Sequence, residues 1–158
     1  MAITKIIADS ITSGAVANTP NFLVKSPDTG QTLSTGTWTK LVGWTNVYDT
    51  ASGFDFTNDK YTIPTGQGGK YHVYARIKNA DSTTRRIQVA IYINGSLASN
   101  SRTAAATTTY YSGVQISYVV NLSASDYLEV YGRIDNGGGG TVMTSTNEEL
   151  FGAYKIIE

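Results

Sequence analysis

Apolar and polar residues alternate with a period of two through four segments in the second half of the chain. These are Tyr71-His-Val-Tyr-Ala-Arg-Ile77, Ile87-Gln-Val-Ala-Ile-Tyr-Ile93, Val114-Gln-Ile-Ser-Tyr-Val-Val-Asn-Leu122 and Leu128-Glu-Val-Tyr-Gly-Arg-Ile134. Strict alternation sends successive side chains to opposite faces of a pleated strand. Strands of a parallel sheet are covered on both faces and read as continuous apolar runs, so this pattern predicts half-buried antiparallel strands. No comparably long stretch carries the spacing of an amphipathic helix. Burying the face of Ile87, Val89, Ile91 and Ile93 contributes at most about 6 to 12 kcal/mol, a large share of one domain's net stability.

Shorter elements surround these four. Phe22-Leu-Val-Lys-Ser26 predicts a strand, Pro27-Asp-Thr-Gly30 a turn whose proline presets φ, and Thr37-Trp-Thr-Lys-Leu-Val-Gly43 a second short strand. From Trp44 to Thr65 the apolar positions become irregular, and Tyr61-Thr-Ile-Pro64 ends in a proline suited to a strand terminus or edge. Gln67-Gly-Gly69 turns the chain into the first long strand. Asn94-Gly95 predicts a tight type I′ hairpin, because both central residues need φ > 0. Thr103 to Thr109 and Asn136-Gly-Gly-Gly-Gly140 read as loops, and Phe151-Gly-Ala-Tyr-Lys-Ile-Ile157 as a closing strand. About eight to ten short strands between such turns imply an all-β antiparallel two-sheet sandwich or jelly roll rather than an up-and-down ligand barrel.

The 158 residues suit one domain with a core that needs no staples. Residues 1–20, rich in Ala, Ser and Thr and closed by Thr19-Pro20, read as an amino-terminal arm, and 21–158 as the domain. Lys plus Arg equals Asp plus Glu at 12 each, so no basic field favours nucleic acid or an anionic membrane. With no cysteine, disulfides, thiolate zinc sites and cysteine nucleophiles are excluded. Before Asp9 the amino terminus offers only a three-residue apolar run, far short of a signal-peptide core or membrane span. The expectation is assembly in a cytoplasm without membrane insertion.

Candidate chemistry is sparse. His72, the only histidine, lies mid-strand on the phase opposite Tyr71, Val73, Ala75 and Ile77, with no orienting acid beside it, so a structural or interface role is expected. Asp49, Asp55 and Asp59 lack the ligand ladder of a calcium loop and read as solvated turn acids. There is no Gly-x-Ser-x-Gly elbow, phosphate loop or dinucleotide fingerprint, so neither an enzyme, a cofactor nor a metal is expected. Tyrosine stands out instead, with 11 residues, among them Tyr74, Tyr92, Tyr131 and Tyr154 on the second phase of the strands. Strand propensity alone accounts for any one of them. Together they also suit a subunit interface, since tyrosine joins apolar area to a polar tip.

Four of these segments resemble, in order and spacing, the trimeric jelly-roll family that includes tumour necrosis factor and the globular head of complement component C1q, in the divergent form found in bacteriophage structural proteins. Gly69-Lys-Tyr-His-Val is similar to the family's Gly-x-Tyr strand, and Ile91-Tyr-Ile-Asn-Gly95 to its hairpin. Leu122-Ser-Ala-Ser-Asp-Tyr-Leu-Glu-Val130 is similar to Leu-x-x-Gly-Asp-x-Val-x-Val, and Phe151-Gly-Ala-Tyr154 to Phe-x-Gly-Tyr. Ser125 and Ala153 stand where the family has glycine. The resemblance implies a jelly roll of about ten strands, assembled as a homotrimer with one sheet facing the axis, and an axial role for His72, Tyr74, Tyr131 and Tyr154. The family's calcium ligands have no matching positions.

Two functions fit that implication. One is a non-enzymatic virion protein, a trimeric capsid decoration or knob whose arm docks on other capsid or tail proteins. The other is the receptor-binding tip of a tail fibre, in which the loops 98–111 and 136–141 recognise a host-surface glycan or protein and Tyr110 and Tyr111 stack on sugar. An exposed aromatic pair in a loop is also often incidental.

Overall fold

In the computed structural model, the residues described are 19–80, 86–102, 113–135, 138–145 and 147–156. They form thirteen strands and no helix: β1 (Asn21–Lys25), β2 (Gln31–Leu33), β3 (Thr39–Lys40), β4 (Thr45–Asp49), β5 (Phe54–Asp55), β6 (Lys60–Thr62), β7 (Gly69–Lys78), β8 (Arg86–Ile93), β9 (Ser96–Arg102), β10 (Gly113–Leu122), β11 (Tyr127–Asp135), β12 (Gly140–Val142) and β13 (Leu150–Lys155). Five of these have only two or three residues. The four alternating segments became β7, β8, β10 and β11, each extended by one to three residues.

Two antiparallel sheets result. One has the order β10-β7-β13-β1-β4, the other β5-β6-β11-β8-β9 with β3 on β11, and β12 pairs β2 separately. In β7 the inward phase, Tyr71, Val73, Ala75 and Ile77, is buried, as are Ile87, Val89 and Ile91 in β8. Phe22 of the first sheet stacks on Tyr61 of the second at 4.0 Å and 13°, and meets Phe151 edge-on at 4.9 Å. That aromatic cluster joins the sheets where apolar area per side chain is largest.

Local expectations fared unevenly. Asn94 and Gly95 have φ of 52° and 74°, and Ile93 pairs Ser96 across them, as a type I′ turn requires. Strand β8 departs from simple alternation, because Gln88 and Ala90 on its outer phase are buried as well. The strand expected over Thr37–Gly43 shrinks to β3. Beyond it Gln31 takes up the backbone, its Nε2 donating to Lys40 O (2.7 Å) and its Oε1 accepting from Val42 N (3.1 Å). Asp59 Oδ1 accepts from Gly43 N (2.8 Å) and Trp44 N (3.1 Å), so side chains replace a ladder there. Gly140, expected in a loop, opens β12 against Leu33. Residues 98–102 of the expected loop 98–111 belong to β9, while 103–111 with Tyr110 and Tyr111, residues 1–18 of the expected arm 1–20, and Asn136 with Gly137 lie outside the described residues.

Candidate functional site

The outer face of the five-stranded sheet holds three of the residues singled out above. Register sets Val119 (β10), His72 (β7), Tyr154 (β13) and Asn21 (β1) in one row across the strands. The next row runs Ser117, Tyr74, Gly152, Leu23 and Tyr48. His72 lies 4.9 Å from the Tyr154 ring and 5.7 Å from the Tyr74 ring, centroid to centroid, and its Nε2 is 2.6 Å from Ser117 Oγ. Its Nδ1 is buried without a partner among the described residues. Among the described residues no carboxylate pairs with this histidine, whose hydrogen bond goes to a hydroxyl.

Tyr74 crosses Gly152 so closely that a Cβ there would sit 2.5 Å from the Tyr74 hydroxyl. Burial pushes the Tyr74 phenol up to about 12, with the neighbouring Tyr48 adding through charge and a hydrogen bond. Apolar area remains open beside it: Val119 is 53% exposed and Tyr48 44%. A groove of about 290 Å³ continues the face along Tyr74, Arg76, Gln115, Ser117 and Leu150. Arg76 borders it and is held in place, its Nε donating to Glu148 O at 2.5 Å and its Nη2 to Asn147 O at 3.2 Å.

Tyr131 does not belong to this surface. It lies on β11 in the other sheet and stacks on Tyr92 of β8 at 3.9 Å and 24°. Strand phase was read correctly for all four residues, but phase alone does not say which sheet a strand joins, so one face for His72, Tyr74, Tyr131 and Tyr154 is corrected to two. Leu23, Tyr48, Val119 and Ser117 complete the first face and were not singled out. Tyr48 falls where alternation fails, and Val119 is hidden inside the run Tyr118-Val119-Val120.

The acidic residues of the irregular region each serve backbone. Asp49 accepts from Ala51 N and Phe54 N, and Asp55 from Thr57 N and Asn58 N. Bonds to the Asn58 side chain and backbone hold the Asp55 carboxyl below its ordinary range. Asp59, expected to be solvated, is only 6% exposed, because it holds the loop after β3. Among the described residues no three His, Cys, Asp or Glu side chains gather as metal ligands would.

No family model matches the chain, and no curated protein matches it. Solved structures do. The Eiger TNF of S. frugiperda superposes with a TM-score of 0.63 at 15% identity, over 87% of this chain and 92% of that one. Murine APRIL, in structures at pH 8.0 and 8.5, gives TM-scores of 0.62 and 0.61 at 16% and 17% identity, over 86% of this chain and 98% of that one. At such identities the likeness is one of backbone architecture: the chain is similar in fold to TNF, an all-β antiparallel jelly roll.

Proposed function

We propose that this chain is a non-enzymatic structural protein of a phage virion, a homotrimeric capsid decoration or knob protein that docks on the particle through residues 1–20. One observation carries the assembly: the outer face of the five-stranded sheet gathers Leu23, Tyr48, His72, Tyr74, Val119 and Tyr154. Aromatic rings with polar tips beside open apolar side chains suit an interface that must desolvate without orphaning polar groups. Threefold closure rather than a dimer follows the family resemblance at Gly69–Val73, Ile91–Gly95, Leu122–Val130 and Phe151–Tyr154, and the TNF-like fold supports it. The phage assignment rests on the divergent form of those same motifs, and the virion location on the arm.

Size-exclusion chromatography with light scattering at micromolar concentration tests the assembly. A trimer of this 16.9 kDa chain has a mass of about 51 kDa, and a single-chain mass overturns the proposal. Deleting residues 2–20 should leave a soluble trimer that no longer associates with particles. Retained incorporation removes the arm's role, and labelling at the tail tip with loss of host adsorption moves the protein to a fibre.

A further inference from the structure

Asn94 and Gly95 form the turn between β8 and β9, and an Asn-Gly pair carries its own chemistry. The Gly95 backbone nitrogen can attack Asn94 Cγ, since glycine has no side chain to obstruct the approach. The new N–Cγ bond forms as Cγ–Nδ2 breaks, and the Gly95 amide proton leaves with the departing nitrogen as ammonia. Water then opens the resulting five-membered imide at either carbonyl, giving aspartate or isoaspartate. One water is consumed, one ammonia is released, and no oxidant or reductant takes part.

Here the carboxamide is held at both ends. Asn94 Oδ1 accepts from Tyr127 N at 2.9 Å, and Asn94 Nδ2 donates to Asp126 Oδ1 at 2.7 Å. The Asn94 amide also donates to Tyr127 O at 3.0 Å, so the turn is fastened to the start of β11 by three bonds. Asp126 is fixed in turn, its Oδ2 accepting from Ser123 N at 2.7 Å. Bringing Cγ onto the Gly95 nitrogen requires the carboxamide to leave Tyr127 and Asp126 together.

We propose that Asn94 is a latent deamidation site, kept closed by Asp126 and Tyr127, and that its conversion releases the β8–β9 turn from β11. The product explains the release. A carboxylate at position 94 has no N–H to offer Asp126 and faces it as a like charge at hydrogen-bonding distance. Before conversion the Asn94 bond, and then the Ser123 amide, hold the Asp126 carboxyl below its ordinary range, and the Ser123 amide remains when Asn94 is lost.

Peptide mapping measures this. Trypsin separates Asn94 in peptide 87–102 from the second Asn-Gly pair, Asn136-Gly137, in peptide 134–155. Fragment spectra locate the gain of about 1 Da at Asn94 rather than at Asn100 of the same peptide. In urea at mildly alkaline pH the two pairs should convert at similar rates. In buffer, Asn94 should convert about tenfold or more slowly than in urea, since two side-chain bonds must open first. Equal rates at Asn94 in buffer and urea overturn the proposal. Asp126→Ala should bring the native rate at Asn94 toward the urea rate, whereas a slower rate would make Asp126 a base that assists ring closure and overturn the lock. Should that variant fail to fold, Asn94→Asp supplies the product directly. Its urea midpoint should fall below wild type at neutral pH, with the gap narrowing in acid, and equal midpoints at neutral pH overturn the proposed release.

Discussion

Glu149 Oε1 accepts a hydrogen bond from the Met143 amide at 2.7 Å, inside a loop where neither side chain meets solvent. The same carboxylate accepts from Lys78 N (3.1 Å), Thr144 N (2.6 Å) and Ser145 N (3.0 Å). Four amides, from the end of β7 and the segment after β12, thus converge on one side chain, and Met143 is held at a φ of 63° that bulky residues avoid. Glu149→Gln keeps the shape but turns an NH₂ group toward N–H donors. It should cost about 2 to 4 kcal/mol in urea unfolding. A loss within experimental error would show that water replaces the carboxylate.

Gly152 is required by Tyr74. A Cβ at position 152 would also lie 2.8 Å from the Phe22 carbonyl oxygen, which is backbone and cannot swing aside. Gly152→Ala should therefore destabilise by about 1 to 3 kcal/mol. Adding Tyr74→Ala should recover only part of that loss, and full recovery would place all the strain in the phenol.

Ser125 stands where the resembled family has glycine, and its φ is 73°. The left-handed conformation persists without the residue that adopts it freely. Ser125→Gly should raise stability by about 0.5 kcal/mol, strain relief outweighing the entropy of a freer unfolded chain. An unchanged or lowered urea midpoint would show that the serine adds contacts worth its strain. Ala153, the other departure, is buried on the core side, and the close approach has passed to Gly152 beside it.

The two tyrosine faces make opposite predictions for assembly. Tyr154→Glu should shift the light-scattering mass to one chain, because the charge falls within the proposed interface beside His72. Tyr131→Glu should leave the mass unchanged while both variants keep a β-sheet circular dichroism spectrum. The reverse outcome would move the interface to the sheet where Tyr131 stacks on Tyr92.

Alkaline titration reports burial of the phenols. Tyr71 and Tyr74 are pushed from 10.0 up to about 12, Tyr71 by burial and Tyr74 by burial and then Tyr48. The folded state holds these protons more tightly than the unfolded chain, so their stabilisation is complete below about pH 10 and is lost as pH rises toward about 12. Tyr61, Tyr118 and Tyr131 are raised as well, chiefly by burial, so absorbance at the phenolate band should show several late-ionising groups, one fewer in Tyr74→Phe. An unchanged titration in that variant would reassign the late step.

Much of the fold was legible because alternation and turn chemistry are local. β7, β8, β10 and β11 follow from period-two patterns, and the β8–β9 turn from Asn94-Gly95, since each depends on neighbours along the chain. β3 was overestimated because Gln31 and Asp59, remote in sequence, take the hydrogen bonds that a ladder would use. Glu149 went unmarked, since nothing in Glu148-Glu149 says which carboxylate turns inward.

Sequence alone therefore specified an antiparallel all-β chain, the inward set Tyr71, Val73, Ala75 and Ile77, and the outward phase that bears His72, Tyr74, Tyr131 and Tyr154. It could not say that β7 and β13 share a sheet while β11 lies in the other. Alternation is a property of one strand, whereas sheet membership is settled by hydrogen bonds between residues as distant as Val73 and Ala153. Long-range pairing separated Tyr131 from the other three residues and set Tyr48, Leu23 and Val119 beside them as one surface.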